Sequence, residues 1–273
     1  MKKLTTILLL FSLFAFTSIN QQGEKKENNL SFKQGEEIKY KMSYGFISVG
    51  EGIFSIDRSL HTKHGKTCYK VSIHGSTSNF FNKFLKVEDK WVSHVDTATM
   101  QPVEFFRDIT EGKYTRLEYT TFNHDTGAAT VKYKRKQDAW KTKQYDTGLG
   151  IDDMGSLYAN LRNIDYSKMK KGDKISVSMF LDDQVYKAQL YYRGREILKT
   201  KLGEFKTIKL APKLPNTEIF DGKDAASLWI TDDPNHILLE VKVKVDVSIL
   251  HGNAWLEVQK IKGNKYPLTS KVK

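Results

Sequence analysis

Alternating apolar and polar positions dominate this chain, and the clearest example lies near its C-terminus. Odd-numbered positions from Ile237 to Ile249 are apolar, whereas most of the even-numbered ones between them are charged or polar. A strand places alternate side chains on opposite faces, while a helix would scatter these apolar residues around its circumference. The pattern predicts one long strand with a buried side and a solvent-facing side, in a bent or twisted sheet.

Shorter segments over 38–44, 69–73 and 114–122 alternate in the same way and also predict strands. A convincing helix is predicted at one place, where Asp152 and Asp153 are suited to cap its start. Apolar residues then follow at helical spacing and form one stripe. These residues are Met154, Leu157, Tyr158, Leu161 and Ile164. A shorter helical turn is expected over 78–86, where several phenylalanines cluster.

Two stretches of the chain resemble each other in the order of their turn glycines and tryptophans. The matched positions are Gly35 with Gly172, Gly65 with Gly203, and Trp91 with Trp229. The sequence therefore favours a mainly β fold: two related antiparallel β units that form curved sheets or a partly open barrel or sandwich, with one short connecting helix. The expected organisation is a signal peptide (1–20), a flexible lead-in (21–30), a first β unit (31–148), a helical connector (149–168), a second β unit (169–263) and a basic tail (264–273).

The N-terminus has the layout of a secretory signal peptide. Lys2 and Lys3 precede an apolar run over 4–16, and small polar residues follow it. The run is shorter than the ~20 residues that cross a bilayer, so cleavage is favoured over a retained anchor. The cleavage position is left open up to about Gln22. The only cysteine, Cys68, is far from this run, so the expected product is exported without a lipid anchor, to the periplasm or the cell exterior.

The net charge of +12 adds one functional alternative. Export and the absence of a nucleic-acid motif argue against a nucleic-acid partner. Dispersed positive charge also attracts anionic membrane surfaces and polysaccharides, although solubility is its ordinary explanation.

Motifs of known chemistry are missing. One cysteine excludes a two-cysteine zinc signature and an internal disulfide, and Cys68 is expected to pack as a small apolar residue. There is no Gly-x-Ser-x-Gly elbow, phosphate loop or dinucleotide fingerprint. The closely spaced Gly45, Gly50 and Gly52 are predicted to lie in a hairpin or a bulge instead. Adjacent acids, such as Asp152–Asp153 and Asp182–Asp183, are explained by turns and helix starts. No catalytic residue, metal site or cofactor is predicted.

Several short motifs together resemble domain of unknown function family 3108, over about Phe32 to Ile261. The motifs are Gly35-Glu36-x-Ile38-x-Tyr40, Gly50-x-Gly52, Asp153-x-x-Ser156-Leu157-Tyr158-x-x-x-Arg162, Gly203-x-Phe205 and Trp229-Ile230-Thr231-Asp232. The family often has serine where this chain has Thr231. The resemblance implies an exported, β-rich envelope protein and supplies no catalytic residues.

The leading hypothesis is a non-enzymatic protein that binds a lipid or other hydrophobic ligand in a cleft between sheets. The candidate lining residues are Phe80, Phe81, Phe84, Leu85, Met154 and Tyr158. The residues with a structural or binding role are Asp153, Ser156, Arg162, Trp91 and Trp229. Asp153, Tyr158 and Arg162 also have a purely structural interpretation. In it Asp153 caps the helix, Tyr158 packs in the core, and Arg162 pairs with a carboxylate or a strand-end carbonyl.

Two other functions stay open at this point. An interaction module would contact an outer-membrane component or an anionic polysaccharide through basic strand faces. The basic residues concerned are Lys132, Lys134, Lys136, Lys242 and Lys244. A glycan or peptide hydrolase ranks last, because it would need acids or a triad that only the fold could bring together.

Overall fold

The computed structural model describes residues 30–212, 226–247 and 250–272. The expected signal peptide and all but the last residue of the expected lead-in lie outside these residues. No helix in this part of the chain is long and apolar enough to cross a membrane.

Fifteen strands and one α-helix make up the described fold. Before the helix lie β1 (Glu37–Tyr44), β2 (Ile47–Ile56), β3 (His61–Lys63), β4 (Lys66–Thr77), β5 (Val87–Asp96), β6 (Pro102–Glu111), β7 (Tyr114–Asn123), β8 (Ala128–Lys134) and β9 (Lys141–Asp146). The helix is α1 (Met154–Arg162), and a 3-10 turn covers Phe81–Lys83 between β4 and β5. After the helix lie β10 (Lys174–Leu181), β11 (Gln184–Thr200), β12 (Gly203–Pro212), β13 (Ala226–Thr231), β14 (Leu238–Val247) and β15 (Leu250–Lys262).

All fifteen strands belong to a single antiparallel sheet. Its order runs from β10 to β15, continues with β1, β2 and β4, and ends with β5 to β9, while β3 pairs only with β4. The two halves of the chain meet where β15 pairs with β1, from Ile38 opposite Ile261 to Tyr44 opposite Ala254. The prediction of a mainly β antiparallel fold with one helix is confirmed. The sequence left open curved sheets, a partly open barrel or a sandwich. The described residues form one strongly curved sheet.

The two ends of this sheet approach each other at a seam between β9 and β10. Met179 of β10 forms an isolated bridge with Asp152, just before α1. The ring of Phe180 lies 5.3 Å from that of Tyr145 on β9 and 6.4 Å from that of Phe122 on β7. The seam is therefore filled by side chains, since the sheet order places no ladder between β9 and β10.

Ion pairs cross the same seam from the turn between β10 and β11. Asp182 and Asp183 form this turn with φ of 48° and 63°, a left-handed conformation that Asp tolerates better than most residues. Asp182 lies 2.7 Å from buried Arg107, and Asp183 lies 2.8 Å from buried Arg116. Glu118 lies between the two arginines and pairs with both. The acids that the sequence assigned to a turn thus also connect the two ends of the sheet.

The predicted alternation near the C-terminus is present in β14. Leu239, Val241 and Val243 are buried, whereas Glu240 and Lys242 are partly exposed. The concave face of the sheet carries these apolar side chains, and α1 packs against it over β4, β5 and β10. The helix and the sheet thereby enclose the core in which the candidate site lies.

Candidate functional site

An apolar cavity of about 140 Å³ lies between α1 and the concave face of the sheet. Its wall comes from β1, β2, β4, β5 and β12 to β15 on the sheet side, and from Met154, Leu157, Tyr158 and Leu161 on the helix side. Engineered apolar cavities of about 150 Å³ stay dry and bind benzene. The cavity therefore has room for one aromatic ring or a short alkyl segment.

A capping box holds the start of α1 against the sheet. The Asp153 carboxylate accepts a hydrogen bond from the Ser156 backbone N–H at 2.8 Å, and Ser156 Oγ accepts one from the Asp153 N–H at 2.9 Å. Ser93 of β5 donates to Asp153 Oδ2 at 2.6 Å. The sequence predicted that Asp153 begins the helix; the bond from Ser93 shows that the same carboxylate also ties the helix to the cavity wall.

Burial raises the pKa values of both acids at the helix start. The pKa of Asp152 rises to about 7, because its carboxyl group is desolvated and lies beside Asp153, although Ser156 and Asn160 donate hydrogen bonds to it. The pKa of Asp153 rises to about 6, also through desolvation, against the opposing hydrogen bonds from Ser156 and Ser93. The folded protein thus binds protons here more tightly than the unfolded chain does.

We expect this pair to make the protein less stable as the pH rises from about 4 to about 7. A carboxyl group with a raised folded pKa stabilises the fold below its unfolded pKa, near 3.9, and loses that contribution as the pH passes its folded pKa. Asp152→Asn keeps an acceptor for Ser156 and Asn160 but cannot ionise. In urea unfolding at several pH values, the free energy of unfolding should therefore decrease less between pH ~4 and ~7 for Asp152→Asn than for the wild type.

The control for this pH series is Asp138→Asn, which changes an exposed aspartate in the same way. Its stability curve should run parallel to the wild type between pH 4 and 8. If the Asp152→Asn curve also runs parallel to the wild type, the ionisation of Asp152 is not linked to folding.

A buried arginine anchors the other end of α1. Arg162 is 1% exposed and forms a bidentate ion pair with Glu36, which is fully buried; one of the two bonds, Nη2 to Oε1, measures 3.0 Å. Its guanidinium also donates to the carbonyl oxygens of Ser31 and Asn235, both at 2.9 Å. His236 contacts the Arg162 carbonyl at 2.6 Å through Nδ1. Arg162 thus joins the N-terminal segment, the helix end and the turn between β13 and β14, as the structural alternative expected.

Two tyrosines on the cavity wall have their hydroxyl groups bound to the backbone. Tyr40 donates to the Leu238 carbonyl at 3.0 Å, and Tyr158 accepts from the Leu238 N–H at 3.3 Å. Desolvation raises the pKa values of both tyrosines above 10. The neutral phenols present their rings to the cavity, and Phe54 packs edge-on against Tyr158 at 4.4 Å.

Two polar groups on β5 also belong to the cavity wall. Desolvation, helped by the nearby Glu111, raises the pKa of Asp89 to about 7, and one of its oxygens accepts from the Thr110 N–H at 3.0 Å. Trp91 is 9% exposed, and its buried indole N–H has no hydrogen-bond partner among the described residues. The wall therefore includes a carboxyl group that is neutral in part near pH 7, whereas the Trp91 N–H is enclosed by the surrounding protein.

A pair of glycines makes a side-chain-free patch in the same wall. Gly52 of β2 lies opposite Gly75 of β4, and both line the cavity. Neither has a positive φ. A Cβ atom at Gly52 would come no closer than 3.8 Å to a neighbour, and one at Gly75 would lie 3.7 Å from Trp91. Side chains would therefore fit at both positions, and the space in front of them is the cavity.

The structure brings some of the sequence-predicted residues to the cavity and places others elsewhere. Met154, Tyr158 and Trp91 line it. Trp229 is buried on β13, where its indole N–H donates to Glu196. The phenylalanine cluster lies outside the cavity, in and around the 3-10 turn. Within it, Phe80 and Phe84 are exposed, and Phe81 and Leu85 are partly buried.

The basic residues of the alternative hypothesis lie in separate parts of the sheet. Lys132 and Lys134 of β8 lie over the ring of Trp140, whereas Lys242 of β14 lies over Trp255. In the sheet, β15, β1, β2 and β4 to β7 lie between β14 and β8.

Sequence reasoning missed Gly52, Gly75 and Asp89 as wall residues. It assigned Gly52, with Gly45 and Gly50, to a hairpin or a bulge. Gly45 does lie in the hairpin turn with a φ of 57°, and Gly50 lies at the bulge opposite Met42. For Gly52 that assignment is wrong, because it occupies a regular position in β2. The sequence offered one signal for Gly52 as a wall residue, namely its position inside a strand. Glycine weakens a strand at such a position and often marks a place where a ligand or another backbone approaches closely.

Metal and thiol chemistry find no support in the described part of the chain. No group of three or more His, Cys, Asp or Glu side chains there is placed to hold a metal ion. Cys68 is fully buried, and desolvation raises the pKa of its thiol, which disfavours the reactive thiolate.

A solved structure of another protein shares the fold at low sequence identity. A beta-barrel-like protein of domain of unknown function DUF1849 from Brucella abortus aligns with a TM-score of 0.54 and 10% identity, over 86% of this chain and all of that one. A candidate lipoprotein from Parabacteroides distasonis aligns with a TM-score of 0.30 and 10% identity, over 87% of this chain and all of that one. A DUF1329 family protein from Desulfovibrio piger aligns with a TM-score of 0.22 and 7% identity, over 84% of this chain and 85% of that one. At these identities the first supports the fold alone.

The sequence itself matches one family. No curated protein matches the chain. The family of proteins of unknown function DUF3108 matches residues 39–254, which confirms the resemblance noted in the motifs. This match begins within β1, ends within β15 and includes α1 and every cavity-wall residue except Leu256, and the chain therefore belongs to the DUF3108 family.

Proposed function

We propose that this protein is a non-enzymatic binding protein that holds an apolar group of a small hydrophobic molecule or lipid between α1 and the sheet. The glycine pair carries the proposal. Glycine inside a strand costs about 0.5–1 kcal/mol relative to alanine, and neither Gly52 nor Gly75 is required by φ or by a close neighbour. An interior strand glycine often marks a place where a ligand approaches closely.

The size and polarity of the cavity limit what it holds. At about 140 Å³ it accommodates a ring or the end of a chain, while the rest of a larger lipid would extend beyond it. Asp89 is a polar residue of this mostly apolar wall, so the bound molecule fits best if it carries a hydroxyl or another neutral polar group near its apolar part. Export to the cell envelope, expected from the N-terminal sequence, fits a carrier of this kind.

The first experiment looks for a natural ligand. The full chain would be purified under native conditions, extracted with organic solvent, and the extract analysed by mass spectrometry. A hydrophobic molecule present at about one per protein is the expected result. An empty protein that also gains no thermal stability from toluene or 1-octanol would contradict the proposal, because a ligand of the folded state must raise Tm.

Replacing both glycines of the cavity wall with alanine should raise the stability of the protein while weakening ligand binding. We expect the double variant Gly52→Ala/Gly75→Ala to unfold at a higher temperature than the wild type, because alanine restricts the unfolded chain and covers apolar surface. The same two methyl groups occupy the cavity, so the rise in Tm caused by toluene or 1-octanol should shrink or disappear. Differential scanning calorimetry with and without each compound measures both effects.

A matched control exists on the other face of the same strands. Ser55 of β2 and Ser72 of β4 are also cross-strand partners, and they alternate with the residues that face the cavity. Ser55→Thr/Ser72→Thr adds two methyl groups there and should leave the ligand-induced rise in Tm unchanged. An equal loss of that rise in both double variants would show that the glycine patch is not part of a binding site.

A further inference from the structure

Large apolar side chains are exposed together at one end of the sheet. Phe46, at the tip of the hairpin between β1 and β2, is 99% exposed, and its neighbour Ile47 is 45% exposed. Phe80 and Phe84, in the connection between β4 and β5, are 63% and 73% exposed. We refer to these four residues as the tip patch. Contiguous exposed apolar surface of this kind marks an interaction site in a folded protein.

The pairing of β2 with β4 brings the two parts of the tip patch together. The ladder places Gly50 opposite Thr77, and the next bond joins the Ser78 N–H to the Val49 carbonyl at 2.9 Å. Ile47 lies two residues before Val49, and Phe80 two residues after Ser78, so both leave the sheet at the same end of this strand pair. The rings of Phe80 and Phe84 are 5.8 Å apart and form one exposed group, at the same end of the sheet as the hairpin residues.

Lysines flank the tip patch. The connection over 78–86 contains Lys83 and Lys86 and no acidic residue, and the hairpin tip over 43–48 is uncharged. The β6–β7 turn brings Lys113 to the same end, because its Gly112 N–H binds the Lys86 carbonyl at 2.7 Å. Lys86 also pairs with exposed Glu88 at 3.1 Å. Glu111 directly precedes Gly112 at the end of β6. Three lysines therefore stand against two glutamates, and the local balance is basic by one charge, in a chain with a net charge of +12.

From this geometry we propose that the tip patch docks on the surface of an anionic lipid membrane. Its phenylalanines would enter the boundary between headgroups and acyl chains, and its lysines would lie among anionic headgroups. The shape favours lipid over a second protein. Phe46 protrudes from a hairpin tip, and a protruding side chain enters a fluid interface without the complementary groove that a protein partner must supply.

The position of the patch relates it to the cavity, although the proposal does not depend on ligand binding. Met42 and Val87 line the cavity, and each lies only a few residues from the tip patch along β1 and β5. At about 3.3 Å per residue, the patch is within the length of a short acyl chain from the cavity. Docking by this end would bring the cavity next to the lipid phase.

Co-sedimentation with lipid vesicles tests the docking surface. The full chain would be mixed with phosphatidylglycerol–phosphatidylethanolamine vesicles and, separately, with phosphatidylcholine vesicles. We expect the protein to bind the phosphatidylglycerol–phosphatidylethanolamine vesicles and to bind the phosphatidylcholine vesicles much more weakly. Binding to the anionic vesicles should decrease as salt is raised from about 50 to about 500 mM, because salt screens the attraction between lysines and headgroups. Equal binding to both vesicles at all salt concentrations would overturn the assignment to an anionic surface.

Two variants test which residues make the contact. Phe46→Ser/Phe84→Ser should weaken vesicle binding about tenfold or more, because burial of each ring in the interface is lost. Leu149→Ser/Ile197→Ser is the matched control: these residues are 71% and 59% exposed, after β9 and on β11. The control should bind as the wild type does. Both double variants alter exposed positions, and an unchanged Tm would show that each one folds.

Three results would overturn the proposal. The first is a wild type that does not sediment with either kind of vesicle. The second is an equal loss of binding in the two double variants. The third is a wild-type dimer, seen by size-exclusion chromatography with light scattering, that Phe46→Ser/Phe84→Ser converts to a monomer without affecting vesicle binding. That result would assign the tip patch to a second copy of the chain.

Discussion

Replacing Arg162 with methionine should lower the free energy of unfolding by about 3–5 kcal/mol. The substitution leaves the fully buried carboxylate of Glu36 without its cation, and it removes the donors to the carbonyls of Ser31 and Asn235. A buried ion that loses its partner retains the whole cost of desolvation. Urea unfolding followed by tryptophan fluorescence measures the change.

The control is an ion pair of similar length on the surface. Lys41 lies 3.0 Å from Glu257, and both side chains are about two-fifths exposed. Lys41→Met should change stability by less than about 1 kcal/mol, because solvent screens the pair. The double variant Glu36→Gln/Arg162→Met should lose less than the sum of its single variants, since it removes both buried charges. A loss for Arg162→Met no larger than that for Lys41→Met would contradict the anchoring role.

Gly155→Ala should also destabilise the protein, by about 1–3 kcal/mol, although alanine is the better helix former. Gly155 lies in the first turn of α1, where the helix packs on the sheet. A Cβ atom there would lie 2.6 Å from Ser93 Cβ and 3.3 Å from Val71 Cγ1. Such distances force the helix away from β5 and stretch the bond from Ser93 to Asp153.

The informative comparison is the same substitution across the cavity. Gly75→Ala meets only an ordinary contact with Trp91 at 3.7 Å, so it should stabilise the protein slightly, by about 0.5–1 kcal/mol. Opposite signs for the two variants, measured by urea unfolding, would distinguish a glycine that permits close packing from one that leaves space. A gain in stability for Gly155→Ala would mean that α1 does not pack this tightly.

Local patterns predicted the fold class and several individual elements. Alternation predicted the strand that became β14, and the acids at 152 and 153 predicted the start of α1. Both succeed because period and capping depend on neighbours in the chain. The predicted stripe was longer than the helix, since Ile164 lies beyond Arg162, where α1 ends.

Contacts between distant residues decided the rest. The partner of Arg162 is Glu36, and nothing near either residue in the sequence indicates the other. The phenylalanine cluster illustrates the same limit: spacing alone does not say whether an aromatic group faces the core or the solvent. The structure exposes Phe80 and Phe84, and the pairing of β2 with β4 places them at the same end of the sheet as Ile47.

The sequence by itself determined the mainly β class of the fold, the helix with its capping acid, and membership of a family without a known activity. The tertiary structure alone decided that β15 pairs with β1 in one curved sheet, that α1 and this sheet leave a cavity, and that Gly52 and Gly75 face it. The physical reason is that a period states which residues share a face of one element. Only the packing of elements against each other states what that face meets, and whether space remains between them.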